Sequence, residues 1–248
     1  MQSSIVGGTV NYGQVAGILM LDSTIPRIPG DPGHAATFSF PVRYGVVREF
    51  PFEDLVEIRR ANIGRILAAA LALQKEGVNF IAADCGLFSV FQRDIADALE
   101  IPFIGSALSL IPLIGGFLSA KQKIGLITGD TRLLKEKHLQ AVAADSTHLV
   151  IRGMEHSPEF QDVVIRRGLH LNPEALKEGV LTAAGGLFKS GETIGAILLE
   201  CTNLVSFRSD IQQQFNVPVF DMVSLIEFFA AGYRLQTFKS AYLPGRRN

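Results

Sequence analysis

Short, almost purely apolar runs recur along the chain, separated by longer stretches in which apolar residues return every third or fourth position. The first kind predicts strands buried on both faces, and the second predicts the amphipathic helices that cover them. On that pattern strands are expected at Val15–Leu21, Val78–Asp84, Pro102–Gly105, Lys123–Thr128, His148–Arg152, Ile194–Glu200 and Val217–Phe220. Helices are expected over Glu53–Glu76, where Leu55, Ile58, Ile66, Leu67 and Leu73 recur at helical spacing, over Thr131–Ala143 and over Pro173–Lys189. Such alternation belongs to parallel sheets joined by crossover helices, an α/β fold of the doubly wound type. The stretch from Asp22 to Tyr44 departs from it. With four prolines, two glycines and no period, it reads as a long loop after the first strand, and loops of that length are usually lids or disordered segments.

Sliding the sequence along itself by 116 residues pairs Ile81 with Ile197, Cys85 with Cys201, Phe91 with Phe207, Asp94 with Asp210, Ile95 with Ile211 and Pro102 with Pro218. Asp84 meets Glu200 in the same register. One strand-turn-helix-strand unit therefore occurs twice. This predicts two pseudo-symmetric lobes, the first from residues 1–119 plus 221–248, where a helix returns from about 221, and the second from residues 120–220. Ligands of open α/β sheets bind beyond the carboxyl ends of the strands. If a pseudo-twofold axis relates the lobes, Cys85 and Cys201, each ending an apolar strand, approach one cleft from opposite sides.

Composition narrows the partners. Twenty-three basic residues against 24 acidic ones offer no general attraction to nucleic acid or anionic lipid. The most apolar stretch, Ala107–Leu118, contains Pro112 and is far short of the ~20 residues a membrane-spanning helix needs. The first residues show no basic segment followed by an apolar one, so a cytoplasmic location is the default expectation. Two cysteines in that setting are expected as reduced thiols. Five scattered histidines without an H-E-x-x-H spacing suggest no metal site. The final LPGRRN is expected to be a frayed tail.

Two thiols flanking one carbon suit proton transfer, because inverting a stereocentre needs a base on one face and an acid on the other. Arg27 and Arg43 in the long loop are candidates to hold a substrate carboxylate bidentately. His34 is a candidate auxiliary acid or base. Gly86, at the start of the element after Cys85, would let a carboxylate approach backbone N–H groups.

The motifs AADCGL around Cys85 and LLECTNL around Cys201, with their 116-residue repeat, resemble those of the aspartate/glutamate racemase superfamily. The resemblance implies a two-base thiol/thiolate amino-acid racemase that uses neither pyridoxal phosphate nor any other cofactor, nor a metal. It further implies that Asp22 and Ser23 assist the first cysteine, that Thr202 and Asn203 stand beside the second, and that Thr128 and Thr131 contact a substrate carboxylate. A homo-oligomer would be in keeping with the family. The sequence departs from the family pattern where Gly86 and Leu87 follow Cys85, and where Asn203 replaces the histidine of glutamate racemases, since an amide carries no titrating proton. Hydantoin racemases, maleate isomerases and arylmalonate decarboxylases are alternatives within the superfamily. A non-catalytic two-lobed protein that closes on a small anion is the alternative outside it.

Overall fold

The computed structural model describes residues 7–8, 10 and 12–233. The stretch 234–248, which includes the expected tail and the end of the first lobe, lies outside the described residues. Among the described residues eight strands form two four-stranded sheets: β1 (Ala16–Leu21), β2 (Val42–Val47), β3 (Phe80–Ala83) and β4 (Phe103–Ile104) in the order β2-β1-β3-β4, then β5 (Gln122–Thr128), β6 (Leu149–Gly153), β7 (Thr193–Leu199) and β8 (Val219–Phe220) in the order β6-β5-β7-β8. Every pairing is parallel. The helices are α1 (Phe52–Val56), α2 (Ile63–Lys75), α3 (Gln92–Ala96), α4 (Ile111–Phe117), α5 (Glu136–Gln140), α6 (Pro158–Phe160), α7 (Pro173–Phe188), α8 (Arg208–Phe215) and α9 (Met222–Gly232).

The duplication extends to strand register. Ile81 pairs with Phe103 and Ala82 with Ile104, while 116 residues on Ile197 pairs with Val219 and Leu198 with Phe220. In the inner strands Leu19 lies opposite Ala83 and Ile127 opposite Leu199. The Asp84 N–H donates to Leu19 O at 3.0 Å, and the Glu200 N–H to Ile127 O at 2.9 Å.

Alternation along the inner strands divides their side chains between two cores. Ala16, Ile18, Ala82, Ile124, Leu126, Ala196 and Leu198 enter an apolar core shared by the two sheets and by α4 and α9. Leu19, Ile81 and Ala83 face the helices of the first lobe, and Ile127, Ile197 and Leu199 those of the second. Each larger aliphatic chain buried this way contributes roughly 1.5–3 kcal/mol. The strand ends are thereby fixed from both faces, and the cysteines stand just beyond them.

Three expectations are corrected. The long loop ends in a strand, because β2 is an edge strand whose Tyr44 and Val46 are exposed and whose sequence therefore lacks a continuous apolar run. The single helix expected over Glu53–Glu76 is broken between α1 and α2, where Ile58 adopts φ 58°. A β-branched residue in that region costs about 1–3 kcal/mol. Buried Asp54 holds the break together: its backbone carbonyl accepts from the Arg59 N–H at 2.9 Å and its side chain from Asn62 Nδ2 at 2.8 Å. The helix expected over Thr131–Ala143 is reduced to α5, in which fully buried His138 brings Nε2 to 3.1 Å from Leu55 O in the first lobe. Contact between the lobes there overrides helical periodicity.

Candidate active site

Each cysteine follows a buried carboxyl residue and precedes a 3₁₀ turn. Asp84-Cys85 leads into Gly86–Phe91, and Glu200-Cys201 into Thr202–Phe207. Both cysteines are extended, and each sulfur accepts from the amide two residues on, Leu87 for Cys85 and Asn203 for Cys201. Each thiol therefore lies at the opening of a 3₁₀ turn, where unpaired N–H groups favour negative charge. Both thiols line one cleft of about 980 Å³ between the lobes, at the upper end of the volumes typical of small-molecule sites.

The motifs interlock across the pseudo-twofold, but not identically. The Thr202 hydroxyl donates to the Asp84 carbonyl of the other lobe. The symmetric position is Gly86, where a β-carbon would stand 2.6 Å from the Glu200 carbonyl oxygen and collide with Glu200 Oε1. Glycine is required there because the Glu200 side chain already fills the space.

The two carboxyls have different partners. Asp84 accepts from the Leu21 N–H at 3.0 Å and from Arg27 at 2.9 Å. Burial nonetheless pushes it up to about 6. Glu200 accepts from the Thr128 hydroxyl at 2.7 Å and from the Gly129 N–H, and burial raises it as well. Among the described residues no cation pairs with Glu200. Burial raises both thiols well above the ordinary range, and a negative charge on Glu200 or, at Cys85, on Asp84 acts in the same direction. Here desolvation wins over the local amides.

The long loop after β1 is strapped onto the second lobe. Arg27 reaches Asp31 at 2.7 Å as well as Asp84. Asp31 accepts from Asn203 Nδ2 at 2.8 Å, and the Cys201 sulfur lies 3.7 Å from Asn203 Oδ1. A hydrogen-bonded chain thus runs from Cys201 through Asn203, Asp31 and Arg27 to Asp84. Gly30, at φ 104°, lies so close to Ser206 that a β-carbon would be 2.6 Å from Ser206 Cα.

Of the residues selected from sequence, Asp22, Ser23, Arg27, Cys85, Gly86, Thr128, Cys201, Thr202 and Asn203 line the cleft. Arg43 does not: it lies on β2, ion-paired with Glu76. Thr131 is also outside the lining, its hydroxyl donating to Glu155 at 2.7 Å, while Asp130 accepts from the Arg132 N–H at 2.9 Å. His34 accepts from the Ala36 N–H at 3.1 Å and shapes its own loop. Sequence reasoning did not place Asp31, Asp84, Glu200 or the cleft residues Phe50, Phe52 and Phe160 at the site. The in-register Asp84/Glu200 pair was a usable signal, whereas Asp31 had none. Among the described residues no three His, Cys, Asp or Glu side chains are grouped to hold a metal ion, and no helix is long and apolar enough to cross a membrane.

Comparison with known proteins follows the same lines. The family described as Asp/Glu/hydantoin racemase matches residues 51–226. A dimethylsulfoniopropionate lyase from Durusdinium sp. clade D is 29% identical over 226 residues, covering 88% of this chain and 74% of that protein. Dimethylsulfoniopropionate lyase 3 from Emiliania huxleyi (strain CCMP1516) is 29% identical over 220 residues, covering 84% of this chain and 57% of that protein. The chain thus spans about three quarters of the first relative and little more than half of the second. Among solved structures, a glutamate racemase from Bacillus anthracis superposes with a TM-score of 0.57 at 15% identity, over 87% of this chain and 80% of that one. That similarity extends to the fold.

Proposed function

The chain belongs to the Asp/Glu/hydantoin racemase family, and from that membership we propose that it is an enzyme in which a cysteine removes the proton α to a substrate carboxylate. The observation that carries this reading is the pair of thiols at equivalent strand ends lining one cleft, each beside a buried carboxyl and the open amides of a 3₁₀ turn. The Gly86 and Thr202 amides, which open the two turns, supply donors for a carboxylate and for the enolate that develops from it. Because burial raises both thiols, a substrate that also carries a positive charge brings them toward the thiolate state on binding. Phe50, Phe52 and Phe160 in the cleft wall suit the apolar face of such a cation.

The relatives' names direct the proposal to elimination from a sulfonium propionate. The thiolate takes the α proton, the C–H electron pair becomes the Cα–Cβ double bond, and the Cβ–S pair leaves with sulfur. Neutral dimethyl sulfide and acrylate result, and the thiol returns its proton to solvent. One base suffices for that reaction. The second reading is racemisation of an amino acid, favoured by the presence of both thiols in the cleft, and it needs both.

Proton NMR in heavy water separates the two. Dimethylsulfoniopropionate and both enantiomers of aspartate and glutamate are followed with the wild-type chain, Cys85→Ala and Cys201→Ala. Elimination is expected to fall by about 10²–10⁴-fold in one variant and to persist in the other. Racemisation would be lost in both. No Cys-dependent change in any substrate would overturn the proposal.

A further inference from the structure

Glu200 is a buried carboxyl without an ion pair among the described residues, held by the Thr128 hydroxyl and the Gly129 N–H. One oxygen, Oε2, accepts from Thr128. The other, Oε1, reaches across to the opposite lobe and occupies the space where residue 86 would carry a side chain. At the equivalent place around the pseudo-twofold, Thr202 supplies a hydroxyl donor from its own backbone position. Glu200 therefore acts as the missing side chain of position 86. It stands at the start of the 3₁₀ turn whose Leu87 N–H faces Cys85. Its residue is 3% exposed, it lines the cleft, and no cation acts on it among the described residues. A carboxylate that is buried without a cation is costly, and holding a proton removes the cost.

We propose that Glu200 is a neutral carboxylic acid whose Oε1 hydroxyl donates a hydrogen bond to the substrate carboxylate as it becomes an enolate, completing the donor set above Gly86. The role rests on the proton-abstraction reading, since that step is what builds negative charge on those oxygens. The proton is shared in a hydrogen bond and stays on Glu200, so no co-reactant is required. Burial, which raises Glu200 above the ordinary carboxyl range, acts in the same direction. Asp84 is distinguished from it by Arg27.

Two readouts on the full chain, with Glu200→Gln and Glu200→Ala, test this. The first needs no substrate: the pH profile of iodoacetamide alkylation at Cys85 and Cys201, resolved by peptide mass spectrometry. A neutral Glu200 predicts that the Gln variant reproduces the wild-type profiles. Profiles moved about one pH unit or more toward acid would show that a negative charge had been removed, and would overturn the neutral state. The second is the rate of Cα–H exchange in heavy water. The isosteric Gln variant keeps a neutral donor and is expected to lose about tenfold in kcat. The Ala variant is expected to lose about 10²–10³-fold with little change in KM. Equal losses in both would overturn the donor role. Absence of both Cα–H exchange and elimination in the wild-type chain would sink proton abstraction and the donor role together, while the alkylation profiles would still decide the charge on Glu200.

Discussion

Replacing Asp84 by asparagine tests the electrostatics of the cleft floor through folding, independently of any substrate. Asp84 is 5% exposed. Its burial outweighs the attraction of Arg27 and the Leu21 N–H, lifting the carboxyl from an ordinary 3.8 to about 6. Between those values the folded chain holds a proton that the unfolded chain has released. The folded state therefore loses stability as pH rises through that window: the contribution is intact below about pH 4 and gone above about 6. At about 1.4 kcal/mol for each tenfold change in the proton equilibrium, the loss is ~3 kcal/mol. Asparagine has no such proton, and its side-chain oxygen still accepts from Leu21. It gives up the Arg27 pairing, a cost that lowers the variant at every pH, while Asp31 remains on Arg27. Urea denaturation of both chains at several pH values from 4 to 8 reads the difference. The stability of the wild type relative to Asp84→Asn should fall by ~3 kcal/mol across that range. Parallel curves would refute the reasoning, because they would mean that the carboxyl ionises at its ordinary value. A wild type that gains on the variant with rising pH would show that Arg27 dominates instead.

Other changes probe the packing around the thiols. Gly86→Ala should destabilise by about 1–3 kcal/mol, measured by urea midpoint, since its β-carbon meets the Glu200 backbone as well as the side chain; an unchanged midpoint would contradict the close approach. Gly30→Ala, strained at φ 104° and pressed on Ser206, should cost about 1–3 kcal/mol and raise KM by loosening the strap, and a KM equal to wild type would remove the strap from the binding site. In the substrate-free chain both thiols should alkylate slowly at pH 7 and accelerate only above pH 9, because burial raises them; rapid alkylation of either at pH 7 would contradict that environment.

The sequence spoke most clearly where burial is two-sided. The runs at Ala16–Leu21 and Ile194–Leu199 are apolar throughout because helices or a second sheet cover both faces, so they announced themselves as strands. β2 did not, since its Arg43, Tyr44 and Gly45 belong to a half-covered edge. The break at Ile58 was invisible because apolar spacing continues through it, and only the bonds to Asp54 impose the turn. At the site, the 116-residue register brought out both cysteines from the one-dimensional pattern, and it aligned Asp84 with Glu200 without marking either as a site residue. The reach of Glu200 over Gly86 is a contact between lobes, and no spacing along the chain encodes it. Arg43 lay beside plausible loop residues in sequence, yet its strand carries it to Glu76 and away from the cleft.

The unequal lining of the floor, with Thr202 over Asp84 on one side and Glu200 over Gly86 on the other, has a stereochemical consequence. A planar enolate held there meets two different faces, so the free-energy profile of a racemisation would be skewed: one enantiomer would be bound more tightly and turned over more slowly than its mirror image. Free enantiomers are isoenergetic, however, so kcat/KM in the two directions must stay equal whatever the chirality of the cleft. An elimination is under no such constraint. Its achiral product lets the chain use one face only, and the thiol of the unused face is then free to drift in sequence while its neighbour is held.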